Sequence, residues 1–134
     1  MLELQILSPQ GTIYNDGVDA ILLPTESGEI EILENHAPLY SKLTEGIILI
    51  KKGSKDTRIA IVGGFIEVKG NIVLILSDYA IPAESIQIAK ALEAKKKAEE
   101  LIEKRESDMD ILIAEKELQK SIMELKVAEK IKHQ

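Results

Sequence analysis

The sequence predicts an α+β protein: an N-terminal antiparallel β-sandwich or flattened barrel, then a C-terminal antiparallel two-helix hairpin. Three observations carry this. Up to about residue 81 the apolar residues alternate with polar ones or form short runs of Ile, Val and Leu bounded by turn residues. From Ala83 onward there is neither glycine nor proline, and Glu, Lys, Ala, Leu and Ile fill the segment; all but Ile are strong helix formers. The period changes beside Pro82, so the expected division is 1–83 for the sheet and 84–134 for the helices.

The strands follow in order. Leu2, Leu4 and Ile6 alternate with Glu3 and Gln5, the pattern of a half-buried strand. Glu29 and Glu31 share one face of a second such segment, with Ile30 and Ile32 on the other. The runs "VDAILL" (18–23), "GIILIKK" (46–52), "TRIAIV" (57–62), "GFIEV" (64–68) and "NIVLIL" (71–76) read as further strands. Turns are expected at Asn15-Asp16-Gly17, Glu26-Ser27-Gly28, Lys52-Gly53-Ser54, Gly63-Gly64 and Gly70-Asn71, where glycine supplies the positive φ of tight turns. Many short strands at close spacing make a sandwich or barrel.

The helical half divides at "ESDMD", 106–110. Helices are expected over about 84–105 and about 109–132, the second capped by Ser107 or Asp108 with acids in its first turn. On the first, Ala91, Ala94, Ala98 and Leu101 lie on one face; on the second, Ile111, Leu118 and Leu125 recur with Ala114, Ser121 and Ala128 between them. This is a heptad seam with one small layer. A buried CH₂ contributes roughly 0.8 kcal/mol, so an Ala-rich seam holds far less than a Leu-rich one. Two readings stay open: an ordinary hairpin packed on the sheet, and a hairpin held weakly enough to detach and extend. Glu93–Lys97 and Glu100–Lys104 are i,i+4 pairs in the favourable order, each contributing about 0.2–0.5 kcal/mol. Lys95-Lys96-Lys97 and Lys104-Arg105 are ordinary solvated surface unless an acidic partner meets them.

Composition excludes several classes. With one Phe, three Tyr and no Trp among 134 residues, the core is aliphatic. Without cysteine there is no disulfide framework or thiolate metal site, and a reducing compartment fits. No stretch approaches the ~20 apolar residues of a membrane span, and "MLELQILSPQ" lacks the basic start of a signal peptide; a cytosolic chain is expected. The net charge is −6, divided as −5 over 1–83 and −1 over 84–134, and no aromatic residues interleave with Lys or Arg. Nucleic acid is not an expected partner. Gly63-Gly64 lacks the rest of a phosphate loop, and no G-x-S-x-G occurs.

One stretch invites a catalytic reading. In "GEIEILENHAPLYSKL", His36 follows Glu29, Glu31 and Glu34. A histidine beside a carboxylate is a general-base arrangement. Strand alternation already accounts for Glu29 and Glu31, and a metal site needs more ligands than His36 and the distant His133 supply. Asn35 and Pro38 place the imidazole in a loop, as a contact or a loop-fixing hydrogen bond. A small enzyme using His36 with Glu29 or Glu34, and a free-standing adaptor whose hairpin binds a helical partner, stand as the alternatives.

Three blocks together resemble the ε-subunit family of bacterial and chloroplast F-type ATP synthases. "SGEIEILENHAPLYSKLTEGIILIKK" is similar to the family's G-x-I-G-[IV]-L-P-[GN]-H-A-P-L segment and the strand after it. "GGFIEVKGNIVLILSD" is similar to its G-G-F-x-E-V strand pair, and "AKALEAKKKAEELI" with "MDILIAEKELQKSIMELKVAEK" resembles its helical hairpin. The resemblance implies a sandwich of about ten strands before two helices. It implies a non-catalytic subunit of the central stalk, bound to γ and resting on the ring of c subunits. Such a subunit helps couple rotation, driven by proton or sodium flow, to ATP synthesis in the α₃β₃ head. It further implies a peripheral position on the cytoplasmic face of the cell membrane without direct membrane insertion, and a hairpin that extends into α and β to block ATP hydrolysis.

Carried over by position, the resemblance places Glu29 and His36 near the polar loops of the c ring. Glu31 stands where the family has Gly, and Glu34-Asn35 where it has Pro-Gly or Pro-Asn. The c-ring docking set is thus Glu29, Glu31, Glu34 and His36, and Asn35 can keep a left-handed turn. Lys95, Lys96, Lys97, Lys104 and Arg105 are the expected contacts to an acidic loop of the β subunit. No cofactor is implied. Some members bind ATP through I-D-x-x-R-A and later arginines; here Ile86, Lys90, Ala91, Lys97 and Lys120 occupy such positions, with Gln87 for Asp and Glu124 reversing one charge. Lysine lacks arginine's planar fork, so weak ATP binding or none is expected.

Overall fold

The structure is a computed structural model, described here for residues 1–105 and 107–132, with the side chain of Lys132 left aside. Glu106 and His133, both used in reading the sequence, lie outside the described residues. The chain divides into two compact units, Met1–Glu84 and Ser85–Gln134.

The first unit is a single sheet of ten strands folded over on itself. In chain order they are β1 (Leu2–Ser8), β2 (Gly11–Val18), β3 (Ala20–Thr25), β4 (Gly28–Leu33), β5 (Leu39–Leu43), β6 (Gly46–Lys52), β7 (Lys55–Ile61), β8 (Gly64–Lys69), β9 (Ile72–Leu76) and β10 (Ala80–Pro82). Across the sheet the order is β10-β7-β6-β3-β5-β8-β9-β1-β2, with β4 paired to β3. The two halves meet where β3 and β5 share one residue pair, Thr25 with Leu43. Alternate residues of both halves then face one core. Leu4, Ile6, Val73 and Ile75 come from one half and Ile21, Leu23, Ile48 and Ile50 from the other, each no more than 1% exposed. Burying each such side chain contributes about 1.5–3 kcal/mol relative to exposure.

The sheet departs from the sequence reading in four places. Asn15-Asp16-Gly17 is not a turn: these residues pair with Gln5, Leu4 and Glu3 inside β2. The turn is at Pro9-Gln10, closed by the Ser8–Gly11 pair. A register shift between Ile6 and Leu7 leaves β2 without clean alternation, which is why it escapes a period-two search. "VDAILL" is not one strand. It breaks at Asp19, whose N–H donates to Lys51 O (2.8 Å) and whose Oδ2 accepts from Gly53 N (2.7 Å). The short β5 and β10 carry no sequence signal of their own. Finally, β1 pairs with β9 in parallel, while every other pair is antiparallel.

Gly64 has a specific reason to be glycine. Its φ is +133°, and a Cβ there would lie 2.1 Å from Leu76 O and 2.8 Å from Ser77 Cα. The close approach carries β8 past the end of β9, where Ser77 Oγ sits 2.7 Å from Gly63 O. On the other side of the fold, Lys52 donates to Asp16 Oδ2 at 2.6 Å and ties β6 to the end strand β2. That bond, then the Gly17 N–H, holds the Asp16 carboxyl below the usual carboxylate range; the same bond raises Lys52.

The second unit is a helical hairpin. A 3-10 turn (Ala83–Ser85) precedes α1 (Ile88–Lys104), and α2 spans Asp108–Lys132. The first helix therefore starts four residues later than the sequence suggested. Gln87 is extended (φ −107°, ψ 106°) and its side chain makes no capping hydrogen bond. Arg105 ends α1 in the left-handed region (φ 51°), its N–H donating to Leu101 O at 3.4 Å. Ser107 caps α2 as expected: its Oγ accepts from Asp110 N at 3.1 Å. Ala91, Ala98, Ala114 and Ser121 are buried. Ser121 avoids an unpaired hydroxyl by donating to Glu117 O at 2.8 Å. Leu101 differs from expectation. It is 45% exposed, one turn from the end of α1, and Ile102 is the half-buried residue there.

Candidate functional site

The structure gathers the four expected docking residues on β4 and the loop after it. Glu29 and Glu31 project from the outer face of β4, while Ile32 points into the core. Glu34 and His36 lie in the loop to β5. Asn35 takes the left-handed conformation, φ 66°, which asparagine tolerates, so the turn forms with Glu34 ahead of it. Four hydrogen bonds fix this loop. His36 N donates to Leu33 O (3.1 Å), Asn35 N donates to Asn71 Oδ1 (2.8 Å), the Met1 amine donates to Glu34 Oε1 (3.0 Å), and the imidazole bonds to Ala37 O (2.7 Å).

The imidazole bond decides what His36 offers. A carbonyl oxygen only accepts, so Nδ1 carries the proton. The neutral ring then has an acceptor at Nε2. The ring's partner is a carbonyl and not Glu29 or Glu34; Glu34 is engaged by the Met1 amine. Among the described residues no carboxylate bonds to His36 as a general base requires. Among the described residues no group of three or more His, Asp or Glu side chains is placed to hold a metal ion.

Beside the loop lies an apolar outer surface that the sequence reading missed. Tyr40 of β5 and Phe65 of β8 stack with ring centroids 5.8 Å apart. Both are exposed, as are Ile72 and Leu76 of β9. Alternation carried the signal: Phe65 pairs with Lys42 and Leu76 on the face opposite to Ile66 and Ile75. An aromatic pair and two branched residues thus form an apolar patch on a water-facing sheet.

On the hairpin, Lys96, Lys97, Lys104 and Arg105 are exposed and Lys95 is half-buried. Two of these lysines have intrahelical partners: Lys97 with Glu93 (3.3 Å) and Lys95 with Glu99 (4.0 Å). The expected Glu100–Lys104 pair is not formed among the described residues. Of the residues at nucleotide-site positions, Ile86 stands ahead of α1, Lys90 is in its first turn, Lys97 is mid-helix and Lys120 is on α2. Ala91 is 3% exposed and Glu124 9%, so neither offers much surface to a ligand. Large exposed apolar residues collect near the bend instead: Leu101, Met109, Leu112 and Ile113.

Comparison with known proteins decides among these readings. Residues 1–83 match the family model described as ATP synthase, Delta/Epsilon chain, beta-sandwich domain, and residues 84–129 match the corresponding long alpha-helix domain. The chain belongs to the ATP synthase delta/epsilon chain family. Its relatives in that family include the ATP synthase epsilon chain of Symbiobacterium thermophilum, 35% identical over 98% of this chain and 96% of the relative. That of Bacillus velezensis is 38% identical over 95% and 96%. Among solved structures, a chain of the Euglena gracilis mitochondrial ATP synthase (OSCP/F1/c-ring, rotational state 1) aligns with a TM-score of 0.66 at 26% identity, covering 88% of this chain and 75% of its own. A chain of the Tetrahymena thermophila mitochondrial ATP synthase central stalk and c ring shares the fold, with a TM-score of 0.55 at 19% identity over 64% and 69%. Delta/epsilon membership accounts for the order of sheet and hairpin.

Proposed function

We propose that this chain is a non-catalytic central-stalk subunit of a rotary ATP synthase. Its sandwich transmits torque between γ and the c ring, and its hairpin restrains ATP hydrolysis. The observation that carries this reading is the pair of family matches, sandwich then helices, in order along the chain. The subunit is peripheral to the membrane, on its cytoplasmic face, and no described helix of this chain is long and apolar enough to cross it.

The geometry divides the work. Glu29, Glu31, Glu34 and His36 form an acidic edge with one imidazole acceptor, suited to basic or hydrogen-bonding groups on the c-ring loops. The Tyr40–Phe65 face, which begins four residues after His36, is the surface we assign to γ: it continues the docking edge and is apolar enough for a lasting contact. Lys96, Lys104 and Arg105 are open to meet an acidic loop of the β subunit when the hairpin extends, while Lys95 and Lys97 first exchange their glutamate partners. Each such surface pair contributes about 0–1 kcal/mol and is screened by salt. The bend residues Leu101, Met109, Leu112 and Ile113 add apolar area for the α and β subunits. The subunit needs no cofactor for this role. ATP is at most a weak ligand of the hairpin, because Lys90 and Gln87 replace the arginine and aspartate of the binding motif.

Reconstitution with α, β, γ and the c ring tests the reading. A stalk subunit co-purifies with them, and His36→Ala leaves the complex assembled with modestly altered coupling. An enzyme built on His36 would turn over a substrate alone and lose that turnover on the same substitution.

A further inference from the structure

We infer that Asn71 is the positioning residue of the His36 loop. This deepens the proposed function, since it rests on that loop being the docking element. The loop is exposed and contains a non-glycine residue, Asn35, at φ 66°. Asparagine tolerates this conformation but does not fix it, so a bond from outside the loop can set it. Asn71 belongs to the Gly70-Asn71 turn between β8 and β9, closed by the Lys69–Ile72 pair. Asparagine in a turn commonly bonds its own backbone. Here its Oδ1 instead accepts from Asn35 N at 2.8 Å, across 36 positions of sequence. Its main-chain oxygen accepts from Glu3 N at 2.7 Å. One residue thus joins β1, the β8–β9 turn and the docking loop. It fixes the backbone immediately before His36, and with it the place from which the imidazole acts. Asn71 is not a ring contact in this account; it acts through Asn35.

The experiment has two arms, both on the full chain. Amide exchange by NMR compares Asn71→Ala with Asn71→Asp, which keeps an acceptor oxygen. Loss of one hydrogen bond corresponds to about five-fold faster exchange of the Asn35 amide in Asn71→Ala, with shift changes at 34–37, and Asn71→Asp restores protection. Core strand amides stay protected in both variants, which separates positioning from a general loss of fold. The second arm measures binding to synthase complexes stripped of this subunit. Asn71→Ala weakens it about five-fold and Asn71→Asp recovers it. An Asn35 amide indifferent to Asn71→Ala overturns the positioning role. A loosened loop with unchanged binding overturns the docking assignment and leaves the hold on Asn35 standing.

Discussion

Replacing Gly64 by alanine probes the tightest point of the platform. Two costs add. The φ of +133° is strained for any residue with a Cβ, at about 1–3 kcal/mol. The new Cβ would also lie 2.1 Å from Leu76 O, and that oxygen belongs to backbone, not to a flexible side chain. Relief requires the end of β9 to move away by about 1 Å, since non-bonded carbon and oxygen approach to little less than ~3.3 Å. That movement disturbs the Phe65–Leu76 pairing and the Ser77 hydroxyl bond to Gly63 O, each hydrogen bond contributing about 0.5–1.5 kcal/mol. The expected loss is about 3–5 kcal/mol, a large part of the ~5–15 kcal/mol typical of a domain. Urea unfolding followed by far-ultraviolet circular dichroism measures it, with Gly70→Ala as the control. Gly70 also has positive φ (+62°), but a Cβ there would meet nothing within 4 Å, so its substitution costs only about 1–2 kcal/mol. Equal losses in the two variants, or a Gly64→Ala loss below about 1 kcal/mol, would refute the close-approach argument.

Three further outcomes are expected. Glu31→Lys with Glu34→Lys reverses the added charge of the proposed docking edge and should weaken assembly with the c ring, the defect shrinking as salt is raised; assembly indifferent to both charge and salt would count against that edge. Asp16→Asn removes a carboxylate whose pKa is lowered in the fold by Lys52. A lowered acid contributes stability above its unfolded pKa and loses it as pH falls through the folded one, so the variant should melt earlier at neutral pH and match the parent in strong acid. For the neutral His36 ring, nitrogen NMR should find the proton on Nδ1; a neutral ring protonated on Nε2 contradicts the bond to Ala37 O.

Long-period features were the most legible in the sequence. The core of β6, β8 and β9 announced itself through short Ile-, Val- and Leu-rich runs bounded by turn residues. The hairpin was legible from its missing glycine and proline, and its second helix from Ser107. What was hidden depended on partners distant in sequence. A bulge erased the alternation of β2, and the Asp19 break depends on Lys51 and Gly53. Glu29, Glu31 and His36 were recognisable as a strand face and loop. Asn71 was not, because nothing local marks a turn asparagine as the holder of Asn35. Alternation put Phe65 on the outer face, but nothing local showed that Tyr40 would stack on it, since the two rings lie on different strands.

The most direct measurement is the ATP hydrolysis rate of the reconstituted synthase carrying either the whole chain or residues 1–84 alone. A rigid platform with a separable regulatory hairpin predicts that the shortened chain still assembles and still couples ion flow to synthesis, while hydrolysis rises. Failure of the shortened chain to join γ and the c ring, or a hydrolysis rate unmoved by loss of the helices, would contradict it.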